Sequence, residues 1–168
     1  MTNNATLFEG ESNRTWRVAD AHAVSPVVSE IINRRHAEWT ALQFRFVCDV
    51  SCSVWTDTVL RAYTASDGSS WGIVHVSPRG GGGFELISWL SKDSASLLTT
   101  LVPVVKDSPR KKRFRTPLPD ASPERLWMTH KDRLSVLAQR FGDPISIQST
   151  PVGFAAAYDQ ALSVELWG

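Results

Sequence analysis

The chain has 168 residues, of which 42% are hydrophobic and 21% charged, and its formal net charge is +1. This composition is typical of a soluble globular protein and excludes a fibre or a wholly disordered chain. The near-neutral charge gives no general attraction to nucleic acid or anionic lipid. Apolar runs fall far short of the roughly 20 residues that span a bilayer, so no membrane partner is expected.

Residues 1–20 are predicted to be a flexible polar tail, and residues 21–168 a single α+β domain. The first ten residues have neither the basic nor the apolar region of a secretory signal, so a cytoplasmic location is expected. Within the tail, the stretch "RTWRV" could add an edge strand.

The first helix is predicted in "SPVVSEIINRRHAEW", residues 25–39. Ser25 can cap the first free amides, and proline suits the first helical turn because its missing N–H would have no partner there. An apolar stripe recurs at the helical period and is predicted to be buried; its residues are Val24, Val27, Val28, Ile31, Ile32 and, further along, Trp39.

A period of two follows in "ALQFRFVCDV", where Phe44, Phe46, Cys48 and Val50 are predicted to point to one side and Asp49 to the polar side. Further strands are predicted in "SVWTDTVLRAYTA", "WGIVHVS", "FELISWL" and "SLLTTLVPVV". Because most breaks between them are only a few residues long, the strands should be antiparallel neighbours.

Two more helices are predicted to begin at Ser122–Pro123 and Thr150–Pro151, with "PISIQS" between them as a short strand. The predicted fold class is α+β. An antiparallel meander of about five strands is covered on one face by the N-terminal helix and the two C-terminal helices.

Four consecutive glycines, Gly80–Gly83, precede the strand "FELISWL". A phosphate-binding loop would need a helix directly after the glycines, and the P-loop also needs a lysine and a hydroxyl residue. No helix, lysine or hydroxyl residue follows the glycines directly, so the run is predicted to be a hairpin connection and not a nucleotide site. No cofactor is expected.

The histidines and cysteines do not have the spacing of metal ligands or of a nucleophile with its base. Cys48 and Cys52 are predicted to be reduced thiols, since on one strand they would lie too far apart for a disulfide. His130, on the apolar face of a helix, and His75, inside a strand, are predicted to be hydrogen-bonded structural residues.

The segment "DSPRKKRFRTPLPDASP", residues 107–123, places five cations around one aromatic side chain, and its prolines argue against helix and central strand. One interpretation is a solvated connector. The other is a site for an anionic partner or nucleic acid, with Phe114 stacking on a base. The candidate anion-binding residues are Arg110, Lys111, Lys112, Arg113 and Arg115.

Seven tryptophans are more than a chain of this length usually needs. Trp127 and Trp167 are predicted to be the most exposed, and Trp127 with Phe114 forms a candidate aromatic contact surface.

Three functions remain open. They are a non-enzymatic domain that binds a protein or small ligand, an anion or nucleic-acid binder acting through residues 110–115, and a small enzyme with a pocket between helix and sheet.

Overall fold

The computed structural model describes residues 6–10, 13–55, 57–78, 83–101 and 112–163. Its elements in chain order are β1 (Thr6–Glu9), β2 (Thr15–Val18), α1 (Pro26–Ala41), β3 (Phe44–Cys52), β4 (Val59–Ala65), β5 (Trp71–Val76), β6 (Phe84–Trp89), β7 (Ser96–Thr100), β8 (Arg113–Pro117), α2 (Pro123–Phe141) and α3 (Pro151–Ser163). The eight strands of these residues form one sheet in sequential order, antiparallel except for the parallel pair β7–β8. The α+β class is confirmed.

All three predicted helix starts are confirmed. A hydroxyl side chain accepts a hydrogen bond from a first-turn amide in each helix, at 3.2 Å for Ser25, 3.2 Å for Ser122 and 3.0 Å for Thr150. Proline occupies the next position each time, where no N–H is needed. These short local signals therefore fix where each helix begins.

The glycine run is followed by a strand, as predicted, since β6 begins at Phe84 and pairs antiparallel with β5. Gly80–Gly82 lie outside the described residues. The Asp67–Gly68 turn joins β4 to β5. Gly68 has a φ of +70°, a left-handed conformation that glycine adopts without steric cost.

Side chains alternate across the sheet, and each set packs against different helices. On β5, Ile73 lies in a core with Phe154 and Tyr158 of α3. Its neighbour Val74 lies in a separate core with Ile32 of α1, which also includes residues of α2. The sheet is therefore covered on both faces, and the prediction of one covered face is wrong. We call the two sides the α3 face and the α1 face.

The strand count of about five is also wrong, because three strands were not counted. Both β1 and β2 lie within the segment predicted to be a flexible tail, and "RTWRV" forms β2. The third, β8, lies inside the proline-containing basic segment. It tolerates Pro117 because it is an edge strand and the proline is its last residue.

A bulge between Phe46 and Cys48 changes the side to which β3 residues point. Phe46 stays on the α1 face with Tyr63, whereas Cys48 joins the α3-face core. The prediction that both point the same way is therefore wrong. Asp49 is buried, not solvent-facing, and accepts two hydrogen bonds from Arg61 at 2.7 and 2.9 Å.

Candidate ligand-binding groove

A groove of about 280 Å³ opens on the α3 face, at one end of the β5–β6 hairpin. Trp71, the first residue of β5, and Trp89, the last of β6, line it. The small residues Gly153, Ala156 and Ala157 of α3 contribute to its lining. We call it the tryptophan groove. Further lining comes from Ile145, Ser146, Ile147, Gln148 and Gln160.

The sequence builds this groove by placing tryptophans at the start of one strand and the end of the next. In an antiparallel hairpin these two positions lie at the same end of the sheet. Trp71 faces Ile87 in the register, and Trp89 follows two residues later on the same side. Trp71 also packs edge-to-face on Phe154, with ring centroids 5.1 Å apart, which fixes its orientation.

Most of the remaining lining comes from Ile145–Gln148, within the "PISIQS" segment (residues 144–149) that was predicted to be a strand. It makes a single bridge, between Pro144 and Leu90, and is otherwise irregular. The amide of Ile145 donates to Trp89 O at 2.8 Å, and that of Ile147 donates to Gly68 O at 3.0 Å. Because these two bonds lead to different parts of the sheet, the segment crosses its end and does not extend it.

Gly153 lets α3 approach this segment closely. A Cβ atom at Gly153 would lie 2.3 Å from the carbonyl oxygen of Gln148, a distance that no side chain could occupy. Ala156 and Ala157, on the following turn, are too small to fill the remaining space. The groove therefore results from small side chains opposite two large ones.

Trp89 carries a buried polar group beside the groove. The indole N–H of Trp89 is buried and makes no hydrogen bond within the part of the chain that the structure describes. Because this nitrogen is buried, it is not accessible from the open space of the groove, and Trp89 lines the groove with other atoms of its side chain.

The structure describes three of the five predicted anion-binding cations, and these three do not share one exposed surface. Arg110 and Lys111 lie outside the described residues. Lys112 forms an exposed ion pair with Asp93 at 2.9 Å. Arg113 and Arg115 are buried on the α3 face of β8, with 6% and 8% of their surface exposed.

The predicted aromatic contact surface is not assembled either. Phe114 points to the α1 face and packs on Phe141 of α2, with centroids 5.3 Å apart. Trp127 is 9% exposed, so the prediction that it is exposed is wrong. It packs on Phe44, with centroids 5.0 Å apart, and stacks on His130. Trp167 lies outside the described residues.

A buried polar cluster lies further along the α3 face. Glu85 accepts a hydrogen bond from the Tyr158 hydroxyl at 3.0 Å and lies 3.1 Å from His75 Nε2. Burial alone would lower the pKa of His75, but the charge and hydrogen bond of Glu85 raise it overall. Burial would raise the pKa of Glu85, but the charge of His75 and the bonds from His75 and Tyr158 lower it overall. His75 is thus a hydrogen-bonded strand residue, as predicted.

These two shifts stabilise the folded state over a common pH range. The raised pKa of His75 adds stability that is fully present below about 6.5 and is lost as pH rises through the folded-state pKa. The lowered pKa of Glu85 adds stability that is present above about 4.3 and is lost as pH falls through the folded-state pKa. The pair therefore contributes most between about pH 4.3 and 6.5.

A second buried cluster attaches the N-terminal strands to α3. Asp159 accepts hydrogen bonds from Arg14 Nε at 2.7 Å, from Arg14 Nη2 at 3.2 Å and from Trp16 Nε1 at 3.1 Å. Gly10 packs so closely that a Cβ atom there would lie 2.2 Å from Asp159 Oδ1. The cluster therefore fixes the position of α3 over one end of the sheet.

His130 is fully buried on the α1 face, where it is hydrogen-bonded as predicted. Its Nε2 lies 2.9 Å from Ser88 Oγ, and its Nδ1 lies 2.8 Å from Thr99 Oγ1. Ser88 donates its only proton to the carbonyl of Ser69 at 2.8 Å, so His130 must carry its proton on Nε2 and accept on Nδ1. Burial lowers the pKa of His130 to about 3, so it stays neutral.

Both cysteines are buried and unbridged. Burial, with a smaller effect from Asp49, raises the pKa of Cys48 to about 12, so this thiol is not a nucleophile at neutral pH.

Among the described residues, no three His, Cys, Asp or Glu side chains converge to hold a metal ion. None of the helices in those ranges has the length and apolar content to cross a bilayer.

No protein-family model matches the chain, and no significantly similar protein was found among curated proteins or solved structures.

Proposed function

We propose that the chain is a non-enzymatic binding domain whose ligand is a small planar organic molecule held in the tryptophan groove. The observation that supports this most directly is the groove of about 280 Å³ whose lining includes Trp71 and Trp89. Ligand pockets usually enclose about 300 to 1,000 Å³, so this volume suits a ligand of one or two rings. Indole rings offer large, rigid surfaces for contact with such a ring system.

The polar groups of the groove support binding over catalysis. The side chains of Ser146, Gln148 and Gln160 carry a hydroxyl and two amides, which form hydrogen bonds without titrating near neutral pH. These groups can orient a ligand that has one or two hydrogen-bonding groups. In the titratable cluster, the Glu85 carboxylate is already bonded to His75 Nε2 and to the Tyr158 hydroxyl.

The proposal can be tested with 1-naphthamide, a neutral two-ring probe, followed by NMR of the tryptophan indole N–H signals. At about 0.3 kcal/mol per non-hydrogen atom, its roughly 13 atoms give about 4 kcal/mol, or a Kd of about 1 mM. We expect saturable shifts of the Trp71 and Trp89 signals. If neither signal moves up to about ten times that concentration, the proposal is wrong.

Two substitutions on α3 locate the probe. Ala156→Leu should fill the groove and weaken binding by about tenfold or more, since the added side chain takes the place of the ring. Val152→Leu makes a similar change at an exposed position outside the groove lining and should leave binding unchanged. If both variants weaken probe binding equally, or if neither variant weakens it, the assignment of the probe to the groove is wrong.

A further inference from the structure

The tryptophan groove runs along one face of α3. Four residues of this helix line it, namely Gly153, Ala156, Ala157 and Gln160. Residues spaced three, four and seven positions along a helix lie on the same side of it, so these four form one stripe. Seven residues of α-helix advance roughly 10 Å along the axis. The groove is therefore elongated, with Gly153 near one end and Gln160 near the other.

A primary carboxamide is attached at each end of this stripe. A Cβ atom at Gly153 would lie 3.1 Å from Gln148 Cβ, so the side chain of Gln148 begins beside Gly153. The side chain of Gln160 begins two helical turns further on. Both glutamines line the groove and are exposed, and neither side chain makes a hydrogen bond to the residues that the structure describes. Both amides can therefore bond to a ligand.

The described lining of the groove carries no charged side chain. A charged group of a ligand would lose part of its hydration there without gaining an opposite charge from that lining. A carboxamide has an acceptor oxygen and two donor hydrogens. Its best uncharged partner is a group that also has a donor and an acceptor side by side, which is the case for an amide or a lactam.

We propose that the ligand of the tryptophan groove is an uncharged bicyclic aromatic molecule with an amide or lactam group at each end, one bound by Gln148 and the other by Gln160. Its rings lie along Ala156 and Ala157, where the small side chains leave space. This inference rests on the proposed function and adds the chemical class of the ligand and its direction in the groove.

The test compares two isomers that have the same composition and no charge. Naphthalene-2,6-dicarboxamide carries its amides at opposite ends of the ring system, whereas naphthalene-2,3-dicarboxamide carries both at one end. One neutral hydrogen bond changes an affinity by about fivefold, so the 2,6 isomer should bind wild-type protein about fivefold tighter or more. Naphthalene-2,6-dicarboxylate has nearly the same shape as this isomer but two negative charges, and it should bind more weakly at neutral pH.

Two variants assign the ends of the ligand. Gln148→Leu and Gln160→Leu each remove one amide while keeping a side chain of similar size, so each should abolish the preference for the 2,6 isomer. Gln139→Leu is the matched control, because it makes the same change at an exposed position of α2 outside the groove lining. This control should keep the preference.

The outcomes separate the two proposals. If 1-naphthamide does not bind wild-type protein, the proposed function itself is wrong. If 1-naphthamide binds but the 2,6 isomer binds no tighter than the 2,3 isomer, or if the preference survives in either groove variant, the groove stands and the two-ended assignment is wrong. A dicarboxylate that binds as tightly as the 2,6 dicarboxamide would overturn the assignment of an uncharged ligand.

A measurement on wild-type protein covers the case in which a groove variant does not fold. The side-chain amide NMR signals of Gln148 and Gln160 should both shift when the 2,6 isomer is added. If either signal stays in place at saturation, the corresponding end of the ligand has been assigned wrongly and the proposal fails.

Discussion

Replacing Asp159 by alanine should cost the folded protein a large fraction of its stability. Asp159 is 3% exposed and accepts hydrogen bonds from Arg14 and Trp16, which are 9% and 0% exposed. The substitution removes the carboxylate that pairs with a buried guanidinium and leaves the Trp16 N–H without this acceptor. Losing one partner of a buried ion pair costs about 3–5 kcal/mol, and losing the acceptor of a buried donor about 1–3 kcal/mol.

These two costs are not additive because they share one carboxylate, so we expect a loss of about 4 kcal/mol. The measurement is urea unfolding followed by far-UV circular dichroism. With a slope of about 2 kcal/mol/M, the midpoint should fall by about 2 M. The matched control is Asp93→Ala, which removes an exposed carboxylate paired with Lys112 and should change stability by no more than about 1 kcal/mol.

A double replacement tests the reasoning itself. If the cost comes from a buried charge that has lost its counterion, Arg14→Leu combined with Asp159→Leu should recover part of the stability lost in Asp159→Ala. An Asp159→Ala protein within about 1 kcal/mol of wild type would refute the assigned role of this cluster. A double variant no more stable than the single one would show that Arg14 is not the source of the cost.

Two further predictions concern the buried histidines. Glu85→Gln should lower the pKa of His75 measured by NMR titration, because the carboxylate that raises this pKa is gone. The variant should also lose less stability than wild-type protein as the pH rises above about 6.5. An unchanged His75 titration would contradict the pairing. The ¹⁵N chemical shifts of His130, measured by NMR, should be those of a neutral ring protonated on Nε2 at every pH where the protein is folded. A ring protonated on Nδ1 would rule out the hydrogen bond that Ser88 donates to the carbonyl of Ser69.

The parts of the fold that sequence could predict depend on neighbouring residues. Each helix start consists of a hydroxyl residue followed by proline, and the Asp67–Gly68 turn needs only its own residues. The strand after Gly83 was predictable for the same reason, because the residues of "FELISWL" themselves indicate a strand.

The parts that sequence could not predict depend on distant contacts. Pro117 argued against a strand, yet the chain places β8 at the sheet edge, where proline is tolerated. The bulge after Phe46 depends on pairing with β4 and leaves no local signal. Two-sided burial did have a signal, since "WGIVHV" and "FELISW" do not alternate cleanly between apolar and polar residues.

The groove also had a signal that sequence reasoning missed. Trp71 and Trp89 stand at the outer ends of two strands already predicted to be neighbours, so their proximity could have been inferred. Sequence reasoning could not predict which face the two tryptophans share. It also could not predict that Ala156 and Ala157 lie opposite them, because this depends on the position of α3.

The ion pair between Arg14 and Asp159 joins positions that are 145 residues apart in the sequence. Residues near the start and near the end of the described chain therefore pack together on the α3 face. During synthesis, α3 leaves the ribosome only after every strand of the sheet has emerged. Until then, Trp16 and Trp71 lack the apolar cover that Phe154 provides. We therefore expect the nascent chain to expose an apolar aromatic surface that a chaperone could bind until α3 has been synthesised.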